Sequence, residues 1–273
     1  MRRTFLFFLT VCAVILGPII ASAELTSTIH GSLAQGTTNP KPKIEVYLPK
    51  QPDRTEIGVV ILPGGGYQGL AGHEGKDYAE YLQGQGIAGF VVEYRLGRNG
   101  FHHPAMLEDA LAAIQTVRNR AVEFGIDPHK VGIMGSSAGG HLTAHTVTAY
   151  VDYAKDLRPD FGILCYPVIE MDGAFTHAGS RRNLLGDDPT RELRRSVSPE
   201  LRVNADTPPC FIWHTADDPV VPVENSMLFA MALQRHGIPF ELHVYPHGRH
   251  GLGLKSNFGW EDSLVRWLGE LFK

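Results

Sequence analysis

The chain has 273 residues, 43% of them hydrophobic, with 25 Lys and Arg against 29 Asp and Glu for a formal charge of −4. That composition belongs to a globular protein and excludes disordered, collagen-like and disulfide-scaffold chains. A mildly acidic balance lacks the basic footprint of a nucleic-acid binder, and the length suits one large α/β domain.

The N-terminus reads as an export signal. Met1-Arg2-Arg3 is a short basic start, Phe5 to Ile20 is apolar, and Ala21-Ser22-Ala23 is a small-x-small cleavage site. The apolar stretch falls short of the roughly 20 residues that span a bilayer, so residues 1–23 are expected to be removed and 24–273 to form one domain. The expected location is secreted or periplasmic, without membrane insertion after cleavage. Cys12 lies in the signal. Cys165 and Cys210 sit in apolar runs and are expected as buried, unpaired small hydrophobes in strands, although an oxidising compartment permits a disulfide.

Residues 24–42, rich in Ser, Thr, Gly and Pro, read as a loosely ordered arm. Strands and helices then alternate. Strands are expected at 57–62, 87–94, 131–134, 161–166, 211–214 and 239–245. Helices are expected at 76–85, 104–124, 138–150, 223–236 and 261–272. The 104–124 helix carries Met106, Leu107, Ala110, Leu111, Ile114, Val117 and Val122 on its apolar face, and Gly125 stops it. Residues 167–207 lack clean periodicity and read as an excursion over the sheet edge with a short helix near 181–185. This alternation implies a mostly parallel sheet with helices on both faces and a short insertion in place of a large cap.

Gly135-Ser136-Ser137-Ala138-Gly139 fits Gly-x-Ser-x-Gly with Ser137 at its centre, between a strand and a helix. A tight strand-to-helix turn strains the serine backbone, tolerates only small neighbours, and lifts the hydroxyl to a helix N-terminus. A phosphate-binding loop is the weaker rival, because His141, not Lys-Ser/Thr, follows Gly139-Gly140. A serine nucleophile needs a base and an orienting acid, expected in the order Ser, Asp, His after later strands. After the strand at 211–214, Asp217 and Asp218 compete. Asp218 is the expected acid because Pro219-Val-Val-Pro222 follows it, with Asp217 as the alternative. After the last strand, His250 on a Gly-rich loop is the expected base and His247 the alternative. Pro63-Gly64-Gly65-Gly66-Tyr67 supplies backbone N–H groups for an oxyanion hole, with Gly65, Gly66, Tyr67 and Ala138 as the expected donors. His141 and His145 share a helix face, but no third ligand makes a zinc site, so His141 reads as packing beside the elbow. His102 and His103 read as loop residues.

These residues resemble the α/β-hydrolase superfamily, in particular its secreted bacterial carbohydrate-esterase-like branch of acetyl xylan esterases and feruloyl-esterase-like proteins. Glu93-Tyr94-Arg95-Leu96, His103-Pro104 and Gly125-Ile126-Asp127-Pro128 carry the likeness further, over roughly residues 57–255. Pro63 departs from the His-Gly-Gly-Gly of lipase-type esterases, although the backbone donors survive the change. The resemblance implies a Ser137–Asp218–His250 triad, a short-chain acyl ester of a small molecule or oligosaccharide as substrate, and no metal or organic cofactor. Tyr67, Arg181, Arg182 and Trp260 could suit a sugar-like substrate, with a solvated helix face as the favoured reading of the two arginines. A prolyl-oligopeptidase-like peptidase and a non-catalytic binding module are the rival classes. Glycosidic cleavage needs two facing carboxylates, which the sequence gives no reason to place.

Overall fold

The computed structural model describes residues 25–33, 40–50 and 52–273. The expected signal segment 1–23 and Cys12 lie outside the described residues. Among the described residues, eight strands form one sheet: β1 (Ser27–His30), β2 (Lys43–Tyr47), β3 (Gly58–Leu62), β4 (Ala88–Glu93), β5 (Val131–Ser136), β6 (Gly162–Cys165), β7 (Cys210–Thr215) and β8 (Phe240–Tyr245). Their order is β1-β2-β4-β3-β5-β6-β7-β8. Only the β1–β2 and β2–β4 pairs are antiparallel. The remaining pairs are parallel.

The central strands are mostly apolar because both of their faces are covered, with polar residues kept to their C-terminal ends. In β3, Val60 and Leu62 join the core on one face, while Val59 and Ile61 join the core on the other. Each such side chain contributes about 1.5–3 kcal/mol on full burial. Helices α1 (Lys76–Gly84) and α8 (Trp260–Leu271) supply Tyr78, Leu82, Trp260 and Leu264 to the second core. Helices α2 (Ala105–Asn119), α4 (Ala138–Ala149) and α7 (Glu224–Arg235) cover the first. The mostly parallel sheet with helices on both faces is borne out. The insertion at 167–207 is short, holding α5 (Ala178–Leu185) and α6 (Arg191–Ser196). Cys165 and Cys210 are buried and unpaired, and burial pushes both thiols up to about 12.

Two expectations need correction. The arm contains β1, paired antiparallel with the unanticipated β2; Ile29 and Ile44 point inward between exposed or half-exposed neighbours, and Val46 continues the alternation until the buried Tyr47. This period-two pattern is too short to stand out from its Gly- and Pro-rich surroundings. The long helix expected at 104–124 breaks at Arg120, whose φ of −107° ends α2 and starts the one-turn α3 (Ala121–Phe124). The break rotates the chain so that Ala121 and Phe124 face the core while Val122 is 94% exposed. Gly125 then ends α3 in the left-handed region.

Candidate active site

The turn from β5 into α4 places Ser137 at φ 54° and ψ −118°, a conformation costing a non-glycine residue about 1–3 kcal/mol. Its surroundings hold it there. Its N–H donates to Cys165 O at 3.0 Å, and its carbonyl accepts from the N–H groups of His141 and Val168, each at 3.0 Å. The flanking glycines are steric necessities: a Cβ on Gly135 would lie 2.2 Å from Gly139 O, and one on Gly139 would lie 2.0 Å from Leu62 O.

Ser137 Oγ lies 2.8 Å from His250 Nε2, and His250 Nδ1 lies 2.7 Å from Asp218 Oδ2. A carboxylate can only accept, so Nδ1–H donates to it and Nε2 is left to accept from the serine hydroxyl. The other carboxylate oxygen, Asp218 Oδ1, accepts the N–H groups of Val220 and Val221 at 2.8 and 3.0 Å. These bonds come from the turn that the Pro-Val-Val-Pro stretch forms. Beneath it, His214 is fully buried. Its Nε2–H donates to Val221 O at 3.0 Å and lies 3.4 Å from Asp218 Oδ2, while Nδ1 accepts from Ser226 Oγ at 2.8 Å. Burial alone pushes the Asp218 carboxyl upward, but hydrogen bonds from His214 and His250 outweigh it and hold the group well below the usual carboxylate range. The alternatives, Asp217 and His247, pair with each other outside this chain of groups, at 2.8 Å.

The glycine loop after β3 is anchored on several sides. Gly64 N–H donates to Glu74 Oε2 at 2.9 Å, so it faces away from any substrate oxygen. Asn183 Nδ2 on α5 donates to Gly66 O at 2.8 Å, and Gly97 N–H donates to Tyr67 O at 2.8 Å. Among the described residues, the N–H groups of Gly65, Gly66, Tyr67 and Ala138 have no protein acceptor.

The Tyr67 side chain does not line a substrate surface. It is fully buried, and its hydroxyl donates to His141 Nδ1 at 2.6 Å. His141 Nε2–H in turn donates to Val197 O at 2.8 Å, and burial lowers the imidazole to about 4. His141 therefore packs beside the elbow and also ties the glycine loop to α4. Trp260 is 1% exposed and stacks on Trp213 at 4.9 Å, so it too belongs to the core. Arg182 is solvated and faces Asp187 at 3.5 Å. His145 stacks on His103 at 5.2 Å, and the His102 ring donates to Asn183 O at 3.2 Å. Among the described residues no cluster of three or more His, Cys, Asp or Glu side chains is arranged to hold a metal.

Sequence reasoning missed three residues beside this centre. Glu74 and Tyr166 lie under the loops and are joined at 2.7 Å. His177 stands at the start of α5, where Nδ1 accepts from Ser180 Oγ at 2.8 Å and from Ser180 N–H at 3.2 Å. Both ring bonds fall on Nδ1, so the proton sits on Nε2. Burial lowers the His177 ring, a charge on His250 would lower it further, and the Asp218 carboxylate acts the other way. None of the three has a sequence motif, since each acts through partners distant in the chain or on the irregular insertion.

The BD-FAE family model matches residues 44–233. The chain belongs to the BD-FAE family. An endo-1,4-beta-xylanase B of Butyrivibrio fibrisolvens is 40% identical over 210 residues, covering 73% of this chain and 33% of that protein. An acetylxylan esterase of Xylanibacter ruminicola is 38% identical over 241 residues, covering 85% of this chain and 48% of that protein. The chain thus spans a third to a half of the length of these curated relatives. The crystal structure of an acetyl ester-xyloside bifunctional hydrolase from Caldicellulosiruptor lactoaceticus superposes with a TM-score of 0.81 at 37% identity, covering 93% of this chain and 98% of that one. With this likeness and the strand order above, the expected α/β-hydrolase fold is borne out for this BD-FAE member.

Proposed function

We propose that this protein is a serine esterase that removes short acyl groups, acetyl above all, from carbohydrate such as xylan or its oligomers. The observation that carries the reading is the continuous hydrogen-bonded chain from Ser137 Oγ through His250 to Asp218, on a strained elbow. Ser137 attacks the ester carbonyl as His250 Nε2 takes its proton, and Asp218 orients the ring and stabilises its charged form. The negative oxygen of the tetrahedral intermediate meets two or more of the N–H groups of Gly65, Gly66, Tyr67 and Ala138. Each such donor stabilises the transition state by about 2.7–4 kcal/mol. His250 returns the proton to the leaving alcohol, then activates the water that releases the acid.

The acetylxylan esterase relative supports the acetyl–carbohydrate assignment. Xyloside cleavage is not carried over from the bifunctional hydrolase. The carboxylates of Asp218 and Glu74 each have both oxygens engaged by protein donors, leaving neither to protonate or attack a glycosidic bond. Export through removal of residues 1–23 is part of the proposal, and N-terminal sequencing of the secreted protein checks it.

The activity test compares wild type with Ser137→Ala on acetylated xylo-oligosaccharides, tributyrin and feruloyl esters. The expected outcome is preferential deacetylation of the xylo-oligosaccharides and a kcat loss on the order of 10⁶-fold in the variant. Unchanged turnover in Ser137→Ala removes this serine from the mechanism, and a preference for long-chain lipids overturns the substrate assignment.

A further inference from the structure

Glu74 is 3% exposed and lies beneath the glycine loop in the short turn Gly72–Glu74. Oε2 accepts the Gly64 N–H at 2.9 Å, and Oε1 accepts the Tyr166 hydroxyl at 2.7 Å. The same hydroxyl accepts Gly253 N–H at 3.1 Å, and the Tyr166 ring meets His250 edge-on at 5.1 Å. The neighbouring His73 donates from Nε2 to Gly251 O at 3.0 Å. One turn of chain therefore grips the loop before α1 and the loop that carries His250.

The carboxylate lies close to the glycine loop where it passes Ser137 and to the residue that follows His250. A Cβ on Gly64 would lie 2.4 Å from Glu74 Oε2 and 3.0 Å from Ser137 Cβ, while one on Gly251 would lie 3.8 Å from Glu74 Oε1. Burying a carboxylate is costly unless it is paired, yet its ionic neighbour among the described residues is His73 alone, at 3.9 Å. What it has instead is two well-directed donors from two different loops. Tyr166 takes φ 36°, uncommon outside glycine, to bring its hydroxyl into this position.

We propose that Glu74 is a positioning residue for ester hydrolysis, a buried carboxylate that sets the oxyanion loop and the His250 loop in register with each other. The inference rests on the serine-esterase reading of Ser137. By taking the Gly64 N–H, Glu74 turns the following peptides so that the Gly65 and Gly66 donors face the nucleophile. Through Tyr166 it also holds the backbone three residues beyond His250. Both effects matter most in the transition state, when the oxyanion and the charged imidazole exist together.

The test is steady-state kinetics on 4-nitrophenyl acetate with Glu74→Gln, Tyr166→Phe and the double variant, beside thermal melting. Glutamine keeps the shape but replaces one acceptor with a donor. Expected is a kcat loss on the order of tenfold to hundredfold in E74Q with KM unchanged, since loosened donors cost part of the 10²–10³ lost with a deleted one. Y166F keeps the ring against His250 and is expected to lose less. The double variant is expected to fall short of the product of the two losses, because both act through one bond. If E74Q does not fold, Y166F with a kcat loss at unchanged KM carries the proposal and Y166F with wild-type kcat overturns it. A folded E74Q with wild-type kcat and KM, or with only KM altered, overturns this inference alone. A wild type without turnover overturns the esterase reading and this one with it.

Discussion

Two aspartate–histidine pairs sit side by side in this molecule, built from adjacent aspartates and from histidines three positions apart, and closed at nearly the same distance. Asp218 and His250 meet at 2.7 Å, with side chains 1% and 16% exposed. Asp217 and His247 meet at 2.8 Å, with side chains 52% and 85% exposed. The contact itself does not distinguish them. Surroundings do: the inner pair has a second layer, where His214 and the turn N–H groups hold Asp218, and a third member, Ser137, on the far side of the ring. The outer pair ends in solvent, where screening by water leaves such a contact little net effect. A carboxylate–imidazole bond becomes catalytic machinery when burial fixes its geometry and a nucleophile completes it.

The largest expected effect that would break this contrast is on activity. Asp218→Asn is expected to lower kcat by about 10⁴-fold on any ester the wild type hydrolyses, because the amide no longer fixes the ring tautomer. Asp217→Asn is expected to stay within about twofold, as a surface change away from the reacting atoms. Equal losses in both variants would show that the outer pair shares the work.

Next in size is the brace beneath the glycine loop. Tyr67→Phe removes the hydroxyl that donates to His141 Nδ1 and leaves that buried nitrogen without a partner. The expected cost is about 1–3 kcal/mol of stability, with a fall in kcat at nearly constant KM. Denaturant unfolding beside steady-state kinetics measures both, and an unchanged midpoint would show that the bond is dispensable.

The smallest expected effect is the pH dependence of stability. The folded Asp218 carboxyl lies well below its usual range, so the unfolded state takes up the proton first as pH falls. The stabilisation is fully present above about pH 4 and is lost progressively below it. The gap in melting temperature between wild type and Asp218→Asn is therefore expected to narrow below about pH 4. Asp217 is also held below the usual range by its bond from His247, but it is open to solvent, so Asp217→Asn is expected to show a smaller gap at every pH. A gap for Asp218→Asn that widens on acidification would contradict the assignment.

These contrasts bear on what the sequence makes legible. The elbow is readable because its determinants are local: Gly135 and Gly139 stand two residues either side of Ser137, where a Cβ has no room. Alternating apolar runs and amphipathic stretches mark the parallel strands and their covering helices, since burial on both faces leaves few polar positions in the core strands. The β1–β2 pair is hidden because four- and five-residue strands carry too few alternations. The break at Arg120 is hidden because the apolar spacing continues through it while the backbone does not. Trp260 illustrates a different limit, since an aromatic side chain reads equally as a sugar platform or as core until its neighbour Trp213 is located. Glu74 is the clearest case: its partners lie 10 and 92 residues away, and nothing near it in the chain signals either contact.

The most direct measurement of the central claim is covalent labelling with a fluorophosphonate, located by peptide mass analysis. The account expects a single adduct on Ser137, absent in Ser137→Ala, strongly slowed in Asp218→Asn and undiminished in Asp217→Asn. An adduct on another residue, or labelling of Ser137 at the wild-type rate in Asp218→Asn, would contradict it.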